Sequence, residues 1–162
     1  MVSTKLVNKV SDEIKKRHVT IATAESCTGG LLAHMLTNIS GSSEYFDCGV
    51  ISYSNTAKIR LLGIPDQLLK NYGAVSKEVA AAMAKAIQQR AQVTYGLATT
   101  GITGPTGGTK DKPVGLVYIA ISTKDTVVVK QCLFPGDRLT NKDSSCTAAL
   151  ELLLETLSQK KS

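Results

Sequence analysis

Tryptophan is absent from this 162-residue chain, phenylalanine occurs twice, and aromatic residues make up only 4% of it. A nucleic-acid surface built on base stacking is therefore not expected. Histidine also occurs only twice, as His18 and His34, and neither falls in a motif that would support a Ser-His-Asp triad. Of the four cysteines, Cys27, Cys48, Cys132 and Cys146, no two are spaced as C-x-x-C, which argues against a zinc knuckle or a thioredoxin-type motif. In an unsecreted protein they are expected to be free thiols. The longest apolar runs, such as Val114–Ile121, fall well short of the about 18 residues a membrane-spanning helix needs. The N-terminus, Met1-Val-Ser-Thr-Lys5, has no basic region followed by an apolar one, so no signal peptide is expected. A cytoplasmic location without a membrane partner follows.

What is present fits one compact domain. Hydrophobic residues make up 43% of the chain and charged residues 20%, which excludes a disordered chain. Nineteen Lys and Arg against 13 Asp and Glu give a formal charge of +6. That excess serves solubility or an anionic substrate. It is not gathered in one run, since Lys15-Lys16-Arg17 and Lys160-Lys161 lie at opposite ends. A nucleic-acid partner is not expected on that ground either.

Helical and strand periods alternate along the chain. Leu6, Val10 and Ile14 recur at helical spacing over residues 3 to 17, with Ser3 or Thr4 as cap. Val19–Ala24 reads as a buried strand, followed by a polar turn and a helix carrying Leu31, Leu32, Met35 and Leu36 to about Ile39. Gly49–Ser54 alternates as a second strand. Short helices follow over Asn55–Leu62 and from Pro65 to near Gly73. Ser76 caps a longer helix to about Ala91, and Tyr95–Thr100 is a strand. Val114–Ile121 and Thr126–Phe134 form a hairpin, and a last helix runs from Thr140 or Asn141 to about Leu157. This order predicts a three-layer α/β/α domain with a mixed sheet.

Ligands of α/β proteins gather at strand ends, where three polar clusters stand out. In Glu25-Ser-Cys-Thr-Gly-Gly30, a serine on a strand-to-helix turn can point its hydroxyl out of the sheet, with the helix's first amides beside it. Gly29 and Gly30 permit close approach of a substrate. Ser26 or Thr28 serving only as a helix cap is the plainer alternative, and Cys27 is a rival nucleophile. The second cluster is Tyr53-Ser-Asn-Thr-Ala-Lys58. A lysine partly buried near a helix N-terminus has its charged form disfavoured twice over. Neutral Lys58 could deprotonate a serine; a solvated surface lysine is the alternative. The third is the loop Thr99–Gly108, rich in glycine, a backbone cradle for phosphate or carboxylate or simply a flexible turn. It has neither the Walker A nor the dinucleotide spacing. A smaller element, Phe134-Pro-Gly-Asp-Arg138, offers Arg138 as an anion clamp or as a surface ion pair with Asp137.

Together these pieces resemble the CinA C-terminal-domain family, the bacterial nicotinamide-nucleotide amidases. The matching stretches are Thr23-Ala-Glu-Ser-Cys-Thr-Gly-Gly30, Gly41-Ser-Ser43, Tyr53-Ser-Asn55 with Lys58, Gly73-Ala-Val-Ser76, Thr100-Gly-Ile-Thr-Gly-Pro105, Gly107-Gly108, Lys112-Pro-Val-Gly115 and Phe134-Pro-Gly-Asp-Arg138. They occur in order over about residues 5 to 157.

The resemblance implies a single amidase domain over residues 1–162 that deamidates nicotinamide mononucleotide to nicotinate mononucleotide and ammonia. It implies a homodimer or higher oligomer, a small anionic nucleotide as substrate, no cofactor and no metal. By position, Ser26 is the nucleophile, Lys58 its base, and Tyr53 and Thr100 line the site. Thr28, Gly29, Gly30, Gly101, Gly104, Gly107, Gly108 and Arg138 fall on the substrate-binding motifs. The family pattern carries a further arginine four residues after Arg138, where this chain has Lys142. The lysine keeps the charge and loses the bidentate fork. In many members a larger domain precedes this one, and its activities are not expected here. A non-catalytic nucleotide-binding or competence-associated module of the same fold is the competing expectation.

Overall fold

A computed structural model describes residues 3–159. The chain runs α1 (Thr4–Lys16), β1 (Ile21–Glu25), α2 (Leu31–Thr37), a short 3-10 turn at Ser42–Glu44, β2 (Phe46–Ile51), α3 (Asn55–Leu62), α4 (Asp66–Tyr72) and α5 (Lys77–Ala91). It continues through β3 (Tyr95–Gly101), β4 (Leu116–Ser122), β5 (Val127–Leu133) and α6 (Arg138–Gln159).

The sheet order is β2-β1-β3-β4-β5. β1 pairs in parallel with β2 and β3, while β4 is antiparallel to both β3 and β5. The mixed sheet and the β4–β5 hairpin follow the sequence reading. Strand period sorts the core into two layers. Ile21, Leu97, Val117, Ile119 and Ile121 face one way, toward Val7, Val10 and Ile14 of α1 and Leu150 and Leu153 of α6. Ala22, Ala24, Ala98 and Ala120 face the other way, toward Val79, Met83 and Ile87 of α5. Small residues on that face let α5 lie close. A Cβ at Gly96 would run into the Ala84 carbonyl.

Several boundaries differ from the periodicity. The α1 face that packs is Val7, Val10, Ser11 and Ile14, with Leu6 only half-buried, and the Ser3 side chain makes no capping bond. β2 begins three residues earlier than expected, because on an edge strand Phe46, Cys48 and Val50 alternate with exposed Asp47, Gly49 and Ile51. β4 starts at Leu116 because Gly115, at φ +92°, turns the chain first. α6 starts at Arg138 because Asp137 Oδ1 accepts from the Thr140 amide at 2.8 Å.

Candidate active site

The turn after β1 is held from below by a buried carboxylate. Glu25 Oε1 accepts from Thr28 Oγ1 at 2.6 Å and from the Leu32 amide at 2.9 Å. Its Oε2 accepts from the Ala33 amide at 3.1 Å. Thr28 Oγ1 also lies 2.7 Å from Thr99 Oγ1. A hydroxyl has one proton to give, and Thr28 gives it to Glu25, so Thr99 donates to Thr28. The Ser26 amide donates to the Thr99 carbonyl at 2.9 Å, and the Gly29 amide to the Ser26 carbonyl at 3.0 Å. Gly29 and Gly30 take φ +60° and +97°, conformations that favour glycine. Neither Ser26 nor Thr28 caps α2 with its side chain; Gly30 is the N-cap residue. Two of the helix amides expected to stand free, those of Leu32 and Ala33, are occupied by Glu25.

Opposite this turn, the chain leaves β2 and enters α3. Ser54 Oγ caps that helix by accepting from the Ala57 amide at 3.0 Å. This sets Lys58 in the first turn with its side chain directed inward, only 1% exposed. Lys58 Nζ lies 2.8 Å from the Ser52 carbonyl and 3.0 Å from Ser26 Oγ, although 32 residues separate it from the serine. Ser26 is 8% exposed. Burial pushes the Lys58 pKa down. Burial pushes the Cys27 thiol the other way, up to about 12, so it holds its proton at neutral pH.

The other residues singled out by sequence fall into two groups. Tyr53 is 58% exposed. Its hydroxyl accepts from Arg138 Nη2 at 2.7 Å, with no bond to Ser26 or Lys58. Arg138 Nη1 donates to the Gly104 carbonyl at 2.8 Å. Arg138 thus joins the β2–α3 corner to the glycine-rich loop instead of pairing with Asp137. Lys142 reaches the serine turn, since a Cβ on Gly29 would lie 3.6 Å from its Nζ. Among the described residues neither Arg138 nor Lys142 has a carboxylate partner. Thr100 points elsewhere, donating to the Ala74 carbonyl at 2.8 Å. It is Thr99 that touches the serine turn.

Gly101, Gly104 and Gly108 answer to packing, because a Cβ on each would press on Val114 or Val117. Gly107, at φ +90°, has only Ile102 within reach. Residues 105 to 111 of this loop are exposed. His34 bonds Asn38 and makes no bond to Ser26. Glu25 opens the polar turn cluster and Thr99 opens the glycine-rich loop in sequence, but no local pattern signals that their side chains hold the serine turn.

The comparisons with known proteins bear on the family and the fold. The family model of the CinA C-terminal domain matches residues 3–157. A CinA-like protein of Koribacter versatilis is 48% identical over 89% of this chain and 35% of its own length. Another from Salinibacter ruber is 44% identical over 92% of this chain and 36% of its own length. The chain spans about a third of the length of the curated relatives it matches. Among solved structures, the competence damage-inducible protein A of Klebsiella pneumoniae superposes with a TM-score of 0.95 at 30% identity, covering 99% of this chain and 100% of that one. The competence/damage inducible protein CihA of Agrobacterium tumefaciens gives 0.92 at 34% identity, covering 98% of each chain. A motif series in order, a matching fold and identities of this size lead to one assignment: the chain belongs to the CinA C-terminal domain family.

Proposed function

We propose that this domain is an amidohydrolase that deamidates nicotinamide mononucleotide, with Ser26 as nucleophile and Lys58 as its base. The observation that carries this reading is the buried contact of 3.0 Å between Lys58 Nζ and Ser26 Oγ. A neutral amine keeps two N–H bonds and one lone pair. One N–H serves the Ser52 carbonyl, and the lone pair accepts the Ser26 proton. Ser26 Oγ then attacks the carboxamide carbon. As the tetrahedral intermediate collapses, the proton on Lys58 passes to the leaving nitrogen and ammonia departs. Water, deprotonated by Lys58, next attacks the acyl-serine ester; as the bond to Ser26 Oγ breaks, Lys58 returns the proton to that oxygen, and the acid leaves and ionises to the carboxylate product.

The amides of Ser26, Gly29, Leu31, Leu32 and Ala33 are engaged. Among the described residues this leaves the amides of Cys27, Thr28 and Gly30 as the turn's donors for the oxyanion. Arg138 and Lys142 stand one helical turn apart on α6, like charges with no carboxylate partner among the described residues, which suits a phosphate. Tyr53 and the glycine-rich loop flank them. On this reading the protein works in the cytoplasm as a homo-oligomer.

The test is ammonia release from nicotinamide mononucleotide. Equimolar ammonia and nicotinate mononucleotide support the reading. Binding without turnover would instead make the domain a non-catalytic nucleotide-binding module.

A further inference from the structure

Between Arg138 and Lys142 lies Asn141, fully buried and so far without a role. We propose that Asn141 is a positioning residue that fixes the glycine-rich loop, and through it Arg138, for substrate binding; the proposal rests on the hydrolase reading above.

The side-chain amide makes three bonds. Oδ1 accepts from the Gly136 amide at 2.9 Å. Nδ2 donates to the Gly136 carbonyl at 2.9 Å and to the Thr103 carbonyl at 3.1 Å. The reverse orientation would set Oδ1 against two carbonyl oxygens, so the network fixes which end is which. An apolar side chain would meet the packing needs of this site, but it could not bridge two backbone segments.

Those two segments both carry the site. Thr103 precedes Gly104, whose carbonyl holds Arg138 Nη1 at 2.8 Å. Arg138 Nη2 holds the Tyr53 hydroxyl at 2.7 Å. Arg138 is otherwise an exposed, rotamer-rich side chain. A fixed acceptor at Gly104 pre-orders it before substrate arrives. The Ser26–Lys58 contact has separate anchors, in the Thr99 and Ser52 carbonyls. Loss of Asn141 should therefore weaken substrate binding and leave the chemical step in place.

Asn141→Leu and the near-isosteric Asn141→Asp separate packing from hydrogen bonding. The aspartate still accepts from Gly136 but donates to neither carbonyl. Ammonia-release kinetics with nicotinamide mononucleotide should show KM raised about tenfold or more in both variants, with kcat within about threefold. The pH–rate profile should not move. Tryptic cleavage at Lys110, on the exposed loop, should be faster in both folded variants. A lower melting temperature with unchanged KM and unchanged cleavage would overturn the proposal, as would a fall in kcat at constant KM. If the wild type releases no ammonia, the hydrolase reading fails separately. Calorimetric affinity for nicotinamide mononucleotide and the cleavage rate then decide, and wild-type values for both in Asn141→Asp overturn the proposal.

Discussion

Lys58 Nζ stands 3.0 Å from Ser26 Oγ, with both side chains buried, Ser26 just past the end of β1 and Lys58 in the first turn of α3. Burial lowers the lysine pKa from its ordinary value, so activity should rise with pH through an apparent pKa below the about 10.4 of free lysine. Lys58→Arg should fail almost as badly as Lys58→Ala, because arginine keeps its proton. The pH–rate profile and the two variants check this together. An active arginine variant would reduce Lys58 to a source of positive charge.

The same lysine should cost stability. Its folded pKa lies below its unfolded one. Below the folded value both states are charged, and the folded state bears the full penalty of a buried ammonium. Between the two values the unfolded chain binds more protons, so stability rises with pH. Above about 10.4 the penalty is gone. Lys58→Met removes the titrating group. Its melting temperature relative to wild type should be most favourable at low pH and should lose ground as pH approaches that value. A pH-independent difference between the two would contradict the lowered lysine.

Arg138 and Lys142 should recognise the phosphate. Arg138→Ala and Lys142→Ala should then impair nicotinamide mononucleotide far more than nicotinamide riboside, which lacks the phosphate. Lys142→Arg restores a bidentate donor and should tighten the nucleotide, read as a lower KM. Equal losses on nucleotide and riboside would argue against a phosphate contact.

Glu25 should matter to the fold and to the rate. Glu25→Ala strands the Leu32 and Ala33 amides and the Thr28 hydroxyl. Each lost acceptor costs about 1–3 kcal/mol when the donor stays buried. The melting temperature should fall by about 2–4 °C for each kcal/mol, and kcat should fall because Ser26 lies next to the loosened turn. Wild-type melting would show that the carboxylate does not hold the turn.

The sequence was most legible where local rules act alone. The α5 cap at Ser76, the β4–β5 hairpin and the strand-to-helix turn at Ser26 are visible as residue patterns. Long-range partners were not legible. Nothing local to Arg138 says that its guanidinium meets Tyr53, 85 residues away. Nor does anything beside Glu25 say that its carboxylate turns under the loop to meet Leu32 and Ala33. Thr99 and Thr100 look alike in a buried strand, and strand alternation sends one to the serine turn and the other to Ala74. The start of edge strand β2 is hard to see in sequence because its exposed positions dilute the apolar pattern.

On the proposed mechanism Ser26, and not its neighbour Cys27, carries the acyl group. Ammonia release from nicotinamide mononucleotide by wild type, Ser26→Ala and Cys27→Ala, each confirmed folded by thermal melting, tests it most directly. Wild type should release ammonia, Cys27→Ala should retain substantial turnover and Ser26→Ala should show none. Activity in Ser26→Ala with a dead Cys27→Ala would make this a cysteine amidase and overturn the serine assignment.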